Sequence, residues 1–207
     1  MRPAILMVDV DGVVVRPANP LGWSADIERD LGIPAATLQS RFFQVHWADV
    51  VHGRAGLRER LAVVLAEIAP HVSCETLIRY WFEGDAELDA SLLTQLAAVR
   101  ATGVAVHLAT VQEHERAAYL WNDLGLRDHF DDMHYAANLG ASKPSEAFYS
   151  AVEKRVGLRG PTIAFVDDSE RNVQAARERG WQAALWTSGA SLETLLPTLT
   201  CSESAVR

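Results

Sequence analysis

The chain has 207 residues, of which 49% are hydrophobic and 22% are charged. This length predicts one large domain or a core with a modest insert, and the apolar content excludes intrinsic disorder. Nineteen basic against 27 acidic side chains give a net charge of −8, which argues against a nucleic-acid partner. No apolar run approaches the ~20 residues that cross a bilayer. Cys74 and Cys201 form neither a disulfide framework nor a metal-spaced pair. We therefore expect a soluble, cytoplasmic protein with neither a membrane nor a nucleic acid as its partner.

The first predicted element is a buried strand at Ile5–Val8. The stretch from about 16 to 88 follows it, with helical stripes, no convincing strand, and far more residues than one crossover helix needs. An all-helical insert at this place is expected to cover the carboxyl edge of the sheet as a cap. Most of its aromatic residues are expected to pack the insert's own core. These residues are Trp23, Phe42, Phe43, Trp47, Tyr80, Trp81 and Phe82.

Helices and strands alternate after residue 88. Further strands are predicted at Val104–Ala109, Ile163–Val166 and, more weakly, Ala183–Trp186, with a short strand between the first two. Helical stripes lie between them and end at Gly103, Gly125 and Gly180. This order predicts an α/β fold with a doubly wound, Rossmann-like parallel sheet and an all-helical cap inserted after the first strand. The predicted division is a core of residues 1–15 and 89–196, a cap of residues 16–88 and a polar tail of residues 197–207.

Polar residues follow the predicted strands at the edge where such folds bind ligands. They are Asp9-Val10-Asp11-Gly12 after the first strand, Thr110 after the second, Lys143 in Ser-Lys-Pro, and Asp167-Asp168 after Ile163–Val166. Taken singly, each has an ordinary explanation, because strand-end Asp residues often cap helices or turns. Their joint occurrence, each behind its own strand, predicts one shared site.

The chemistry of these side chains suits phosphoryl transfer. Close carboxylates raise one another's pKa unless a cation compensates them, and Mg²⁺ is a hard cation that carboxylates and a substrate phosphate can hold. Lys143 would neutralise a phosphoryl group, and Thr110 with nearby backbone N–H groups would bind its oxygens. One carboxylate would act as the nucleophile, and a second, two residues later, would protonate the leaving oxygen and then activate water.

These motifs resemble those of the haloacid dehalogenase-like hydrolase superfamily, in particular its phosphatases with a small helical cap. The resemblance extends from Ile5 to Trp186 and includes Asn172 beside the last acidic pair. It implies that Asp9 is the nucleophile and Asp11 the general acid/base, with Thr110, Val111 and Lys143 binding phosphate. It also implies a Mg²⁺ ion held by the Asp9 carboxylate, the Asp11 backbone carbonyl and Asp168, with Asp167 further from the ion.

The expected function is thus a Mg²⁺-dependent phosphohydrolase that acts on a small phosphorylated metabolite through an aspartyl-phosphate intermediate. The presence of Asp11 favours phosphate chemistry over dehalogenation, since dehalogenases of the superfamily usually lack it. Two alternatives stay open. One is a phosphomutase or phosphotransferase with the same site, and the other is a catalytically weak protein that binds a ligand or partner. Val111 supports the latter, because many relatives carry Asn there.

Candidate substrate contacts outside the acidic motifs are fewer. Gly12 lies in the first motif, and His46 and Trp47 in the insert are within reach of a leaving group if the insert closes over the site. For His46, His107 and His114, packing is the interpretation we favour. The sequence does not decide between a monomer and a homodimer.

Overall fold

The computed structural model describes residues 1–199. The chain opens with strand β1 (Ile5–Val8) and a two-residue strand β2 (Val15–Arg16). The insert then supplies the helices α1 (Ile27–Leu31), α2 (Ala35–Leu38), α3 (Trp47–Val51), α4 (Leu57–Ile68) and α5 (Cys74–Gly84). A π-helical turn at Gln39–Phe43 continues α2, and strand β3 (Glu87–Leu88) follows α5.

The rest of the described chain alternates helix and strand. In order, the elements are α6 (Ala90–Ala101), β4 (Ala105–Thr110), α7 (His114–Ala118), β5 (Asp132–Tyr135), α8 (Ala136–Leu139), α9 (Glu146–Val156), β6 (Ile163–Asp167), α10 (Glu170–Glu178), β7 (Gln182–Leu185) and α11 (Leu192–Leu195). Side-chain caps begin several of these helices, as when Asp89 accepts a hydrogen bond from the Leu92 N–H and Ser145 from the Phe148 N–H.

Within residues 1–199, a five-stranded parallel sheet forms in the order β5–β4–β1–β6–β7. Strand β1 lies at its centre, where Ile5 pairs with Ala105 on one side and with Ile163 on the other. Leu6 and Val8 belong to one hydrophobic cluster, whereas Ile5 and Met7 belong to another. Both faces of the sheet are therefore covered around β1, which explains why this central strand is a continuous apolar run. The predicted fold class is confirmed.

The insert has a hydrophobic cluster of its own, whose buried residues all come from Ile27 to Phe82. Each of the predicted cap aromatics is buried in this cluster or packs against it. Trp47, for example, lies 5.6 Å from Trp81 between ring centroids. The packing interpretation of these aromatic residues is therefore confirmed.

A short antiparallel ribbon joins the insert to the sheet, and this feature corrects the prediction that residues 16–88 contain no strand. Val15 pairs with Leu88 and Arg16 with Glu87, so β2 and β3 leave and re-enter the core side by side. Each strand has two residues, which is too short to show any alternation in the sequence.

Smaller differences concern element ends. Thr110 and Asp167 are the last residues of β4 and β6 instead of following them, and β7 begins one residue earlier than predicted. Pro197–Leu199 forms a 3₁₀ turn in which Leu199 is buried, so the predicted tail is still packed over its first three residues. Residues 200–207 of that tail, including Cys201, lie outside the described residues. No helix within residues 1–199 has the length and apolar character of a bilayer span.

Candidate active site

Asp9 occupies the position directly after the central strand. Its backbone N–H donates to the Val166 carbonyl at 3.0 Å, which extends the pairing between β1 and β6 by one residue. Its Oδ1 atom accepts hydrogen bonds from the Val10 N–H at 2.7 Å and from Lys143 Nζ at 2.8 Å. The carboxylate is therefore held at the carboxyl edge of the sheet, with Lys143 beside it.

Lys143 bridges the first and last acidic motifs. Its Nζ atom lies 2.8 Å from Asp9 Oδ1 and 2.6 Å from Asp167 Oδ2, and its side chain is only 1% exposed. Burial alone would lower the pKa of this lysine, but the two carboxylates outweigh it and raise the pKa. Lys143 is therefore a fixed, fully charged ammonium group between strands β1 and β6.

Asp167 is completely buried, and both of its carboxylate oxygens accept hydrogen bonds from groups of the protein besides Lys143. Asn172 Nδ2 lies 3.0 and 3.1 Å from its two oxygens, and the Ser169 N–H donates to Oδ1 at 2.8 Å. Both donors come from the loop and first turn of α10. The contacts keep Asp167 aimed at Lys143, so this residue orients the lysine.

The acidic side chains are crowded enough to need a counter-charge. Burial raises the pKa of Asp9 to about 8, with Lys143 opposing the shift and the charges of Asp167 and Asp11 adding to it. Burial and the charge of Asp167 likewise raise the pKa of Asp168. Asp9, Asp167 and Asp168 offer carboxylate oxygens that all lie within 4.8 Å of one another. An all-oxygen donor set of this kind fits a hard divalent cation such as Mg²⁺.

Gly12 gives Asp168 the space to reach this cluster. The glycine has a φ of +76°, and a Cβ atom added to it would lie 2.1 Å from Asp168 Oδ2. Any side chain at this position would therefore displace the carboxylate, besides straining the backbone. Gly12 lies against the Asp168 carboxylate, and its predicted contact with the substrate stays a prediction.

Asp11 points toward the strand that carries the second motif. Its Oδ2 atom accepts a hydrogen bond from Gln112 Nε2 at 2.6 Å, and the same Nε2 lies 3.4 Å from the Thr110 hydroxyl oxygen. Burial raises the pKa of Asp11, with the positive charge of Arg116 opposing the shift. A raised pKa is the property that a general acid needs near neutral pH.

Gln112 was missed by the sequence analysis. It is 4% exposed and follows the buried Thr110 and the half-buried Val111 at the end of β4. The structure thus places a side-chain amide two residues after Thr110. A single glutamine does not form a recognisable motif. Its position just after a predicted strand was the one feature of the sequence that could have indicated a role in the site.

Arg116 was also missed, and it connects the insert to this edge of the sheet. The side chain is 2% exposed and donates to the Phe82 carbonyl at 2.9 Å and to the Asp85 carbonyl. Its guanidinium carbon lies 5.2 Å from the Phe82 ring centroid and 5.4 Å from that of Tyr119. It therefore binds the C-terminal end of α5 to helix α7.

A second contact between insert and core lies next to Lys143. His52 Nε2 is 3.1 Å from the Ser142 hydroxyl oxygen. A Cβ atom added to Gly53 would lie 2.6 Å from the Ala137 carbonyl oxygen, so the two backbones are in close contact. The insert is thus packed against the loop that carries Lys143.

The structure therefore brings together Asp9, Asp11, Gly12, Thr110, Lys143, Asp167 and Asp168, in agreement with the predicted convergence. His46 and Trp47 lie in the aromatic cluster of the insert, with ring centroids 6.3 and 6.4 Å from that of Phe42. Their predicted contact with a leaving group stays a prediction.

Fold and side chains together describe a hydrolase that works at the carboxyl edge of a parallel sheet beneath a helical insert. Comparison with family models makes this specific, since the model of the haloacid dehalogenase-like hydrolases matches residues 4–180. The chain belongs to that family, which confirms the resemblance noted in its motifs.

Individual relatives are distant. The phosphoglycolate phosphatase of Yersinia pseudotuberculosis is 25% identical over 185 residues, which are 83% of this chain and 75% of that protein. An HAD family enzyme of Bacteroides thetaiotaomicron, solved with magnesium, has a TM-score of 0.78 at 17% identity and covers 94% of this chain and 98% of its own. An HAD-like hydrolase from Porphyromonas gingivalis has a TM-score of 0.78 at 16% identity, covering 98% and 100%. The solved structures establish the shared fold.

Proposed function

We propose that this protein is a Mg²⁺-dependent phosphatase that hydrolyses a small phosphorylated metabolite through a phosphorylated Asp9. The observation that carries the proposal is the bridge from Lys143 to the buried carboxylates of Asp9 and Asp167, beside the exposed carboxylate of Asp168. A nucleophilic carboxylate needs its charge, and the ammonium group 2.8 Å away favours the ionised form. It does not by itself offset the burial that raises the pKa of Asp9 to about 8, so a bound cation would complete the compensation.

The residues that would hold Mg²⁺ are the carboxylates of Asp9 and Asp168 and the backbone carbonyl of Asp11. When bound, the ion supplies positive charge that offsets the charge of the substrate phosphate and of the attacking carboxylate. Asp167 is occupied by Lys143, Asn172 and Ser169, so it supports the site by orienting the lysine.

The reaction proceeds in two displacements at phosphorus. In the first, an Asp9 oxygen forms a bond to phosphorus while the bond from phosphorus to the ester oxygen breaks, and Asp11 gives its proton to that oxygen. In the second, Asp11 takes a proton from water, whose oxygen attacks the phosphorus and releases the Asp9 carboxylate and inorganic phosphate. Lys143, the Thr110 hydroxyl and the Val111 N–H bind the phosphoryl oxygens in both displacements.

The insert serves as the cap that closes over the leaving group. Its contacts with the core at His52 and Arg116 lie beside Lys143 and Asp11 respectively, so movement of the insert is linked to both ends of the site. The 25% identical relative is named a phosphoglycolate phosphatase, and the Bacteroides enzyme was also solved with magnesium and inorganic phosphate. Both support a small phosphorylated substrate. We also propose that the protein is cytoplasmic.

The test is a panel of phosphate monoesters, including 2-phosphoglycolate and a generic aryl phosphate, assayed with Mg²⁺. We expect the wild type to release phosphate, Asp9→Asn to abolish release, and Asp11→Asn to slow it by about 10²–10⁴-fold. Asp128→Asn, which changes an exposed carboxylate outside the site, is the matched control and should keep full activity. An Asp9→Asn variant that is folded by circular dichroism and still active would contradict the proposal. Inclusion of a sugar phosphate acceptor in the panel separates hydrolysis from transfer, since transfer would yield a new phosphate ester.

A further inference from the structure

Two histidines and an aspartate form a second cluster on the edge of the sheet. His107 lies on β4, and Asp132 and His134 lie two residues apart on β5, so that all three share one face of this strand pair. The register pairs His107 with Asp132 and Ala109 with His134, which brings the side chains together. None of these residues takes part in the carboxylate cluster around Asp9.

The spacing of their ligand atoms suits a metal ion. His107 Nδ1 lies 3.0 Å from His134 Nε2, and His134 Nε2 lies 4.0 Å from Asp132 Oδ2. One ligand atom from each of the three residues fits within a 4.8 Å limit. Ligands at ~2.0–2.1 Å from a tetrahedral zinc ion are separated by about 3.3 Å, a distance that these two values bracket.

The protonation states of His107 and His134 favour the binding of a cation. Burial lowers the pKa of His134 to about 4 and also lowers the pKa of His107, so both imidazoles are neutral near pH 7 and have lone pairs to offer. The carboxylates of Asp131 and Asp132 add negative charge near His107, while Arg155 opposes a cation near His134. The side chain of His134 is 1% exposed, whereas that of Asp132 is 60% exposed, so the cluster has one open side.

The contact between the two imidazoles involves a single proton when both rings are neutral. His107 Nδ1 and His134 Nε2 lie 3.0 Å apart, so one nitrogen donates and the other accepts. A metal ion in place of that proton would bind both nitrogen lone pairs and the carboxylate at once. It would leave the proton of His134 on Nδ1, which is buried without a hydrogen-bond partner among the described residues.

We propose that His107, Asp132 and His134 bind a divalent transition-metal ion of borderline softness, of which Zn²⁺ is the representative, at a site separate from the carboxylate cluster. The donor sets distinguish the two sites. Imidazole nitrogen suits Zn²⁺, Co²⁺ and Ni²⁺, whereas the all-oxygen set around Asp9 suits Mg²⁺. Binding ties the edge strand β5 to β4 through side chains as well as through the backbone ladder.

The experiment titrates the chelator-stripped full-length protein with Zn²⁺ by calorimetry in the presence of excess Mg²⁺, which occupies the carboxylate cluster. Co²⁺ serves as a second probe, since its visible d–d absorption bands shift and become much stronger when a tetrahedral site replaces its octahedral shell of water. The test variants are His107→Gln, at a half-buried position, and Asp132→Asn, which keeps the Oδ1 acceptor for the Met133 N–H while removing the charge. Controls are Asp168→Asn in the carboxylate cluster and His71→Gln at an exposed histidine.

We expect one zinc ion per chain in the wild type and both controls, and zinc affinity weakened by about tenfold or more in both test variants. A zinc-dependent rise in Tm should appear in the wild type and be lost in the test variants, whose metal-free Tm reports whether they fold. Equal zinc binding by the wild type and the two test variants would overturn the proposal. Loss of the zinc signal in Asp168→Asn with retention in His107→Gln would also overturn it, because the zinc would then occupy the carboxylate cluster.

Discussion

At the scale of single residues, the geometry of the site depends on the absence of a side chain at Gly12. Gly12 adopts a left-handed backbone conformation, and the Asp168 carboxylate occupies the space where a Cβ atom would lie. The two residues are far apart in sequence but meet because β1 and β6 are neighbours in the sheet. The loss of Gly12 should therefore act on Asp168, and through it on the metal-binding end of the site.

We predict that Gly12→Ala loses Mg²⁺ affinity and phosphatase activity, because the added methyl group displaces Asp168. Calorimetric titration with Mg²⁺ and kcat measured at saturating substrate check this. Gly189→Ala is the control, since Gly189 has a similar φ of +79° but no atom within 4 Å of the added Cβ. Both variants should lose about 1–2 kcal/mol of unfolding free energy from backbone strain. Equal metal affinity in the two variants would show that the clash at Gly12 is not what matters.

The residue scale also shows what sequence patterns can reveal about a site. Asp9, Lys143 and Asp168 each follow a recognisable strand or motif, so their convergence was predictable. Gln112 and Arg116 were not, because their roles arise from the direction of a side chain and from contact with the insert. An arginine within a helix is read as exposed by default, since buried guanidinium groups are rare.

At the scale of elements, a buried carboxylate fixes helix α9 to the segment between α10 and β7, in addition to apolar contacts. Glu153 is 5% exposed, and it accepts hydrogen bonds from Arg179 Nη2 at 2.5 Å and from Trp181 Nε1 at 2.9 Å. Burial alone would raise the pKa of Glu153, but these two donors outweigh it and lower the pKa. The charged form of Glu153 therefore stabilises the folded state.

The sign of this shift predicts a dependence of stability on pH. Since the folded-state pKa of Glu153 lies below its ordinary value of 4.5, its contribution is complete above that pH and disappears as the pH falls through the folded-state pKa. We expect Glu153→Gln to lose about 2 kcal/mol of unfolding free energy near neutral pH. The difference from the wild type should shrink in urea titrations carried out below pH 4.5.

The control for Glu153→Gln is Glu178→Gln, at an exposed position near the end of α10. Its unfolding free energy should stay within about 0.5 kcal/mol of the wild type at every pH tested. A constant difference between Glu153→Gln and the wild type across the pH range would assign the effect to packing and not to charge.

Elements were predictable to the extent that they are long or buried on both sides. The central strands β1, β4 and β6 are mainly apolar and lie between helices, so their parallel arrangement followed from the pattern. The ribbon of β2 and β3 did not, because two-residue strands depend on pairing across the insert and have no local periodicity. The predicted helix that ends at Gly125 contains a π-helical turn at Tyr119–Asp123, which an apolar stripe does not distinguish from regular helix.

At the scale of the whole molecule, the buried cation of Arg116 helps to join the insert to the core. Arg116 contacts two carbonyls at the end of α5, and its Nη2 atom lies 3.7 Å from Asp85 Oδ2. Burial lowers the pKa of Arg116, with the charges of Asp11 and Asp85 opposing the shift. Removal of the guanidinium group would leave carbonyls and a partly buried carboxylate without their partner.

We predict that Arg116→Met lowers the unfolding free energy by about 3–5 kcal/mol, as expected when one partner of a buried polar network is lost. Arg116→Lys keeps the charge but not the planar fork, so its loss should be smaller. Urea unfolding followed by circular dichroism measures both, with Arg127→Met at an exposed position as the control. If Arg116→Met matched Arg127→Met, the network around Arg116 would contribute nothing to stability.

The ribbon between β2 and β3 has a consequence for how such a protein can diversify. The Ala18 N–H donates to the Gly84 carbonyl at 3.1 Å, and the Asp89 N–H donates to the Val14 carbonyl at 2.9 Å. The two ends of the insert therefore lie side by side where they join the core. A substitute module of any size can be grafted there if its two ends are close together. The insert can therefore be exchanged for another of different length without disturbing the central strands of the sheet.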